Sequence, residues 1–173
     1  MKKTLSVLVK MSLFLSASSL AIPLDAAQSK HPKHHKSSVS ASIPAEGRKV
    51  FIFNPRSLNW SIYGANGKLV RSGKAVGGKG YCPDVKRACR TPVGAYAIYH
   101  KEGPHFISSK YPLPRGGASM PWAMFFYKGF AIHGSNEMPG HHASHGCIRV
   151  YPNDARWMSG TLPVGTKVVV KSY

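Results

Sequence analysis

The chain has 173 residues, enough for one domain around one apolar core, and 24 Lys and Arg against 6 Asp and Glu give it a formal charge of +18. Beyond Asp25 and Glu46 the carboxylates are only Asp84, Glu102, Glu137 and Asp154, and no two are presented by matching local sequence. That sets aside glycosidases, which need two carboxyls facing across a sugar, and aspartic proteases, which need a matched pair.

The N-terminus, "MKKTLSVLVKMSLFLSASSLAIPLDAA", has a basic start at Lys2 and Lys3, an apolar run from Leu5 to Leu20 and small residues after it. It reads as a secretory signal peptide over residues 1–27, cut after Ala21, Ala26 or Ala27. Lys10 and several serines interrupt the apolar run, which argues against a retained anchor, and no later segment is apolar enough to span a bilayer. Loss of Lys2, Lys3, Lys10 and Asp25 brings the charge from +18 to +16. An exported protein of this charge, in the periplasm, the cell envelope or outside it, suits anionic cell-envelope polymers; nucleic acid is a weak candidate there.

Residues 28–47, "QSKHPKHHKSSVSASIPAEG", lack apolar periodicity and read as a basic disordered linker, with His31, His34 and His35 in no fixed geometry. From Arg48 to Tyr173 the composition is that of a globular domain. "RKVFIFNP", "LNWSIYG", "KLVRSGKAV", "GAYAIYH", "AMFFYKGFAIHG" and "TKVVVKSY" are short runs rich in Val, Ile, Phe and Tyr, the signature of strands. Asn66-Gly67 between the second and third runs predicts a tight hairpin. "PNDARWMSG", residues 152–160, reads as a helix, with Pro152 early, Asp154 in the first turn and Gly160 as a stop. The expected fold is mainly β, a small antiparallel sandwich or barrel with one or two short helices.

Three cysteines in an exported chain leave one over. Cys82 and Cys89 lie in one polar loop, "GYCPDVKRACRTP", where a short-range disulfide is geometrically easy. Cys147 is then a free thiol, either buried and inert or kept for its chemistry. It closes the stretch "FAIHGSNEMPGHHASHGCIRV", residues 130–150, which also holds His133, His141, His142 and His145. Three of these histidines offer ligands for a zinc ion, but no HExxH-like spacing accompanies them. As a nucleophile Cys147 needs a base: His133 ends a predicted strand, so a rigid element presents it. Gly146 allows close backbone approach, and the amides of Gly146 and Cys147 are candidates for holding an oxyanion.

"IHGS" followed by "SHGCIRV" resembles the paired signature of the L,D-transpeptidase family, whose catalytic domain is of the YkuD type. "TPVGAYAI" (Thr91–Ile98) resembles that family's TPxG strand, "MPWAMFF" (Met120–Phe126) its MPYxMxF segment, and "LNWSIYGANGKLVRSGKAVGG" its opening hairpin. The resemblance spans about residues 48–172 in the right order. It implies a β-sandwich-like or barrel-like catalytic domain over 48–173 that needs no cofactor and no metal and acts on peptidoglycan stem peptides. It further implies Cys147 as nucleophile, His133 as general base oriented through the carbonyl of Gly134, and His145 shaping the cysteine loop near the thiolate. Arg149 and Ser144, with Trp122 and Met120 as groove walls, form the implied substrate-binding set. The implied reaction forms a stem-peptide thioester, releases a terminal D-amino acid and passes the acyl group to an amine, giving a 3→3 crosslink or protein attachment. Water as acceptor gives an L,D-carboxypeptidase instead, and a non-catalytic wall-binding protein is the reading from another class. Against the family pattern, the loop bearing His141 and His142 is short, predicting a compact cap over the site, and "GYCPDVKRACR" is an insertion.

Overall fold

The computed structural model describes residues 39–111 and 113–173. The signal-peptide reading and residues 28–38 of the linker reading fall outside that range. Nine strands build a single curled sheet: β1 (Val50–Asn54), β2 (Asn59–Tyr63), β3 (Leu69–Val76), β4 (Gly94–Ala97), β5 (His100–Lys101), β6 (Met124–Tyr127), β7 (Phe130–Gly134), β8 (Ile148–Val150) and β9 (Lys167–Val170). Their order is β4-β9-β1-β2-β3-β8-β7-β6-β5. The sheet is mixed rather than purely antiparallel, because β1 pairs with β9 and β7 with β8 in parallel. Its curl brings the first-edge residue Tyr96 against Phe126 and Tyr127 of β6. Among the described residues the one α-helix, α1 (Pro152–Thr161), starts at the expected proline and runs one residue past Gly160.

Burial explains why these runs are strands. Phe51, Phe53, Trp60, Ile62, Met124, Ile132, Ile148, Val168 and Val170 are all removed from solvent, and Ala155, Met158 and Leu162 of the helix region close over them. Each such side chain contributes roughly 1.5–3 kcal/mol when fully buried, so the core lies where the β-branched and aromatic residues of the runs meet.

The hairpin joining β2 to β3 forms, but not as a two-residue turn. Gly67 alone takes a positive φ, +76°, and its N–H bonds the carbonyl of Gly64. A Cβ on Gly67 would stand 2.1 Å from the carbonyl oxygen of Ile43, so the turn is shaped by a neighbouring segment. That segment is residues 39–47, which were expected to belong to the linker. Ile43 N–H bonds Gly67, Leu69 N–H bonds Ala41, and Glu46 pairs with Lys167 on β9.

Candidate active site

Parallel pairing of β7 and β8 sets Ile132 opposite Ile148 and His133 opposite Arg149. Side chains alternate along strands, so residues 132, 148 and 150 share one face and residues 131, 133, 147 and 149 the other. The first set enters the main core. On the second face Ala131 sits in a smaller apolar cluster with Met120 and Ala123, against which Cys147 packs. His133, Cys147 and Arg149 line a cleft of about 510 Å³, together with Met120, Gly134, Glu137, Ser144 and His145.

His133 is only 5% exposed. Its Nδ1 lies 2.9 Å from the carbonyl oxygen of Gly134, which can only accept, so Nδ1 carries the proton and Nε2 keeps its lone pair. Burial pushes the imidazole pKa down to about 4; the Gly134 bond opposes this, and the charge of Arg149 adds to it. Burial likewise pushes the Cys147 thiol up, against a hydrogen bond from the backbone of Ala131 and the pull of Arg149. Both shifts favour neutral forms, so at neutral pH the site rests as thiol and imidazole rather than as thiolate and imidazolium.

The loop before Cys147 is held from within. Ser144 Oγ donates to the carbonyl of Cys147 at 2.6 Å and accepts the N–H of Gly146 at 3.0 Å. The second bond bears on the expected oxyanion pair: of the two amides, that of Gly146 already donates to Ser144 Oγ. Gly146 is needed for another reason. Its φ is +124°, and a Cβ there would lie 2.2 Å from the ring of Phe130.

The four histidines separate. His145 Nε2 meets Asp84 Oδ2 at 2.7 Å, and its ring stacks on Tyr111 with centroids 4.5 Å apart, so its bonding partner is the disulfide loop and not the thiol. His142 does not cap the cleft. Its Nδ1 accepts the N–H of Gly77 at 3.0 Å and its Nε2–H donates to the carbonyl of Pro55 at 3.1 Å, while the ring meets Phe53 and Tyr173 edge-on. Burial holds its pKa below the usual histidine range. His141 is exposed. Among the described residues, the group of potential metal ligands that lies close enough to act together is Cys82, Asp84 and His145, and the sulfur of Cys82 is already bonded to Cys89.

The model of the YkuD family, the L,D-transpeptidase catalytic domain, matches residues 48–170. The chain belongs to this family. Solved L,D-transpeptidases share its shape. That from Xylanimonas cellulosilytica is 27% identical with a TM-score of 0.63, over 75% of this chain and 63% of that one. That from Stackebrandtia nassauensis is 24% identical with a TM-score of 0.62, over 79% and 62%. L,D-transpeptidase 3 from Mycobacterium tuberculosis, in complex with a faropenem-derived adduct, is 22% identical with a TM-score of 0.57, over 72% and 60%. The chain thus spans under two thirds of the length of these structures, and the latter two speak to the fold alone. No curated protein sequence matches it.

Within this L,D-transpeptidase fold the remaining expectations divide. Met120 lines the cleft and packs with Ala131. Trp122 packs against the main core, and the lining of the cleft does not include it. Arg149 faces the cleft and pairs with Glu137 at 3.0 Å. Tyr111 and Glu137 line the cleft and Asp84 bonds its lining residue His145; the sequence reading pointed to none of the three. Asp84 had one available signal, its place inside the loop closed by Cys82 and Cys89.

Proposed function

We propose that the chain is an exported cell-envelope enzyme that transfers acyl groups between peptidoglycan stem peptides through a thioester on Cys147. The observation that carries the reading is the shared face of β7 and β8, where a neutral His133 with Nε2 unprotonated lines the same cleft as the thiol. Arrival of a stem peptide brings its carbonyl to Cys147. The thiol proton moves to His133 Nε2 as the S–C bond forms, and the oxyanion rests on the Cys147 amide. The imidazolium then protonates the departing amine, the C–N bond breaks and a D-amino acid leaves. An acceptor amine attacks the thioester, gives its proton to His133, and its new amide bond restores the thiol. With the side-chain amine of a neighbouring stem as acceptor, the product is a 3→3 crosslink.

Burial supports the neutral-pair start, because charge is created only when substrate is present to use it. Arg149, beside both groups and half-satisfied by an exposed Glu137, offers its guanidinium to a substrate carboxylate. The test is incubation with tetrapeptide-containing muropeptides and mass spectrometry. A Cys147 acyl adduct, free D-alanine and dimers are expected from wild type and absent from Cys147→Ala. Identical products from the two proteins exclude the reading. Monomers shortened by one residue, without dimers, identify water as the acceptor. A structural relative is recorded with a faropenem-derived adduct, so faropenem is a suitable probe of Cys147 acylation.

A further inference from the structure

The disulfide loop, residues 82–89, reaches the cysteine loop at two separate points. At the first, Asp84 takes the hydrogen of His145 Nε2 at 2.7 Å, and Tyr111 covers the imidazole on its flat side. Arg87 of the same loop donates to the Tyr111 hydroxyl at 3.2 Å, so this loop holds both neighbours of the ring. At the second point Gly78 lies between the two loops. A Cβ on it would stand 1.7 Å from the carbonyl oxygen of Cys89 and 2.8 Å from the Cα of Gly146. Gly78 also bridges to Ser144, and Lys79 N–H bonds the Ser144 carbonyl at 3.0 Å.

Cys82 and Cys89 close this loop, with Cα atoms 5.9 Å apart. This polar segment, residues 82–89, contains Pro83 and one short 3-10 turn and has little core of its own to hold it in place; the crosslink and a pair of backbone bonds between Cys82 and Arg87 do so. Asp84 is thereby presented at a fixed distance from His145, two residues before Cys147. The inner bonds of Ser144 join residues 144, 146 and 147 into one unit, so an anchor on His145 fixes where the thiol stands relative to His133. Small displacements there matter, because acyl transfer depends on orientation within fractions of an ångström.

We propose that Asp84, held by the Cys82–Cys89 disulfide, is a positioning residue of the acyl-transfer reaction that fixes the cysteine loop through His145. The proposal rests on the reading of Cys147 as the acylated nucleophile. It assigns the inserted disulfide loop to alignment of the site, an effect beyond the general stability a crosslink gives.

The experiment compares wild type, Asp84→Ala, Asp84→Asn, Cys82→Ser/Cys89→Ser and the triple variant. Faropenem acylation followed by intact mass gives the saturating rate and half-saturation, iodoacetamide labelling gives access to Cys147, and circular dichroism gives the melting temperature. Asp84→Ala is expected to lower the saturating acylation rate about 10-fold or more with half-saturation within about twofold, the pattern of lost alignment. Its iodoacetamide labelling is expected to rise about fivefold as the loop loosens. Asp84→Asn keeps an acceptor oxygen and is expected to stay within about threefold of wild type in both. The disulfide variant should match Asp84→Ala, and the triple variant should be no worse than either, since both changes cut one linkage. A wild-type acylation rate in Asp84→Ala overturns the proposal, as do equal losses in Asp84→Asn and Asp84→Ala or additive losses in the triple variant. If wild type is not acylated at all, the functional reading fails, and the labelling rates still decide whether Asp84 places the cysteine loop. Should the disulfide variant fail to fold, the two Asp84 variants carry the comparison alone.

Discussion

The imidazole of His133 donates from Nδ1 to the carbonyl of its own chain neighbour, Gly134, at 2.9 Å. The bond is local, so the strand itself fixes the ring, and burial does the rest by holding the pKa at about 4. A base with an ordinary histidine pKa would be half protonated near pH 6.5. The acylation rate of this protein is therefore expected to hold with no inflection near pH 6.5 and to fall only as pH approaches about 4. Stopped-flow acylation by faropenem between pH 4 and 8 checks this; a limb centred near 6.5 contradicts the buried, neutral His133.

The same shift links to stability, with the sign set by which state binds the proton. Above about pH 6.5 His133 is neutral both folded and unfolded and contributes nothing. As pH falls from 6.5 to about 4 the unfolded chain takes up a proton that the folded one refuses, so stability drops, by an amount on the order of 3 kcal/mol. His133→Gln has no such proton to bind. Urea unfolding at pH 7 and pH 4.5 should show a smaller loss for that variant than for wild type, and equal losses would refute the assignment.

Ser144 is the small residue on which the cysteine loop turns. Its buried hydroxyl serves two partners, accepting from Gly146 and donating to the carbonyl of Cys147. Ser144→Ala leaves a buried N–H without its partner, at a cost of about 1–3 kcal/mol, and frees the carbonyl end of Cys147. The expected result is a lower melting temperature together with an acylation rate reduced about 10-fold or more. Ser144→Thr, which keeps the hydroxyl, should recover part of both; a rate unchanged in the alanine variant would show that the bonds do not align the thiol.

How much of this was legible beforehand depended on range. The strands were readable because alternation and β-branched runs are local, and so was the strand-end placement of His133. Parallel pairing of β7 with β8 was not, since it depends on a 13-residue excursion returning beside its start. The same holds for the Asn66-Gly67 turn, whose shape follows from packing against Ile43, a segment that composition alone marks as linker. Motif order pointed from Cys147 to His133, which the structure sets on the same cleft, but pointed to no partner for His145. Asp84 lies 61 residues away, in a loop whose position on the cleft no local pattern encodes. The engagement of the Gly146 amide was hidden for a different reason, because it depends on which way the Ser144 hydroxyl turns, which the sequence does not encode.

Trp122 and Met120 lie two residues apart in one segment and part company in the structure, which makes them a matched pair for testing. Trp122 packs against the main core without lining the cleft, whereas Met120 lines the cleft and touches the cluster around Ala131. Trp122→Leu removes part of the packing and should cost about 1–3 kcal/mol, lowering the melting temperature by roughly 4–12 °C, with half-saturation for the acylating probe unchanged. Met120→Ala widens the cleft and, if this wall binds substrate as proposed, should raise half-saturation severalfold while the saturating rate changes less. Calorimetry and acylation kinetics on both variants separate the roles. An altered half-saturation in Trp122→Leu would return that side chain to the substrate groove, and an unaltered one in Met120→Ala would remove its neighbour.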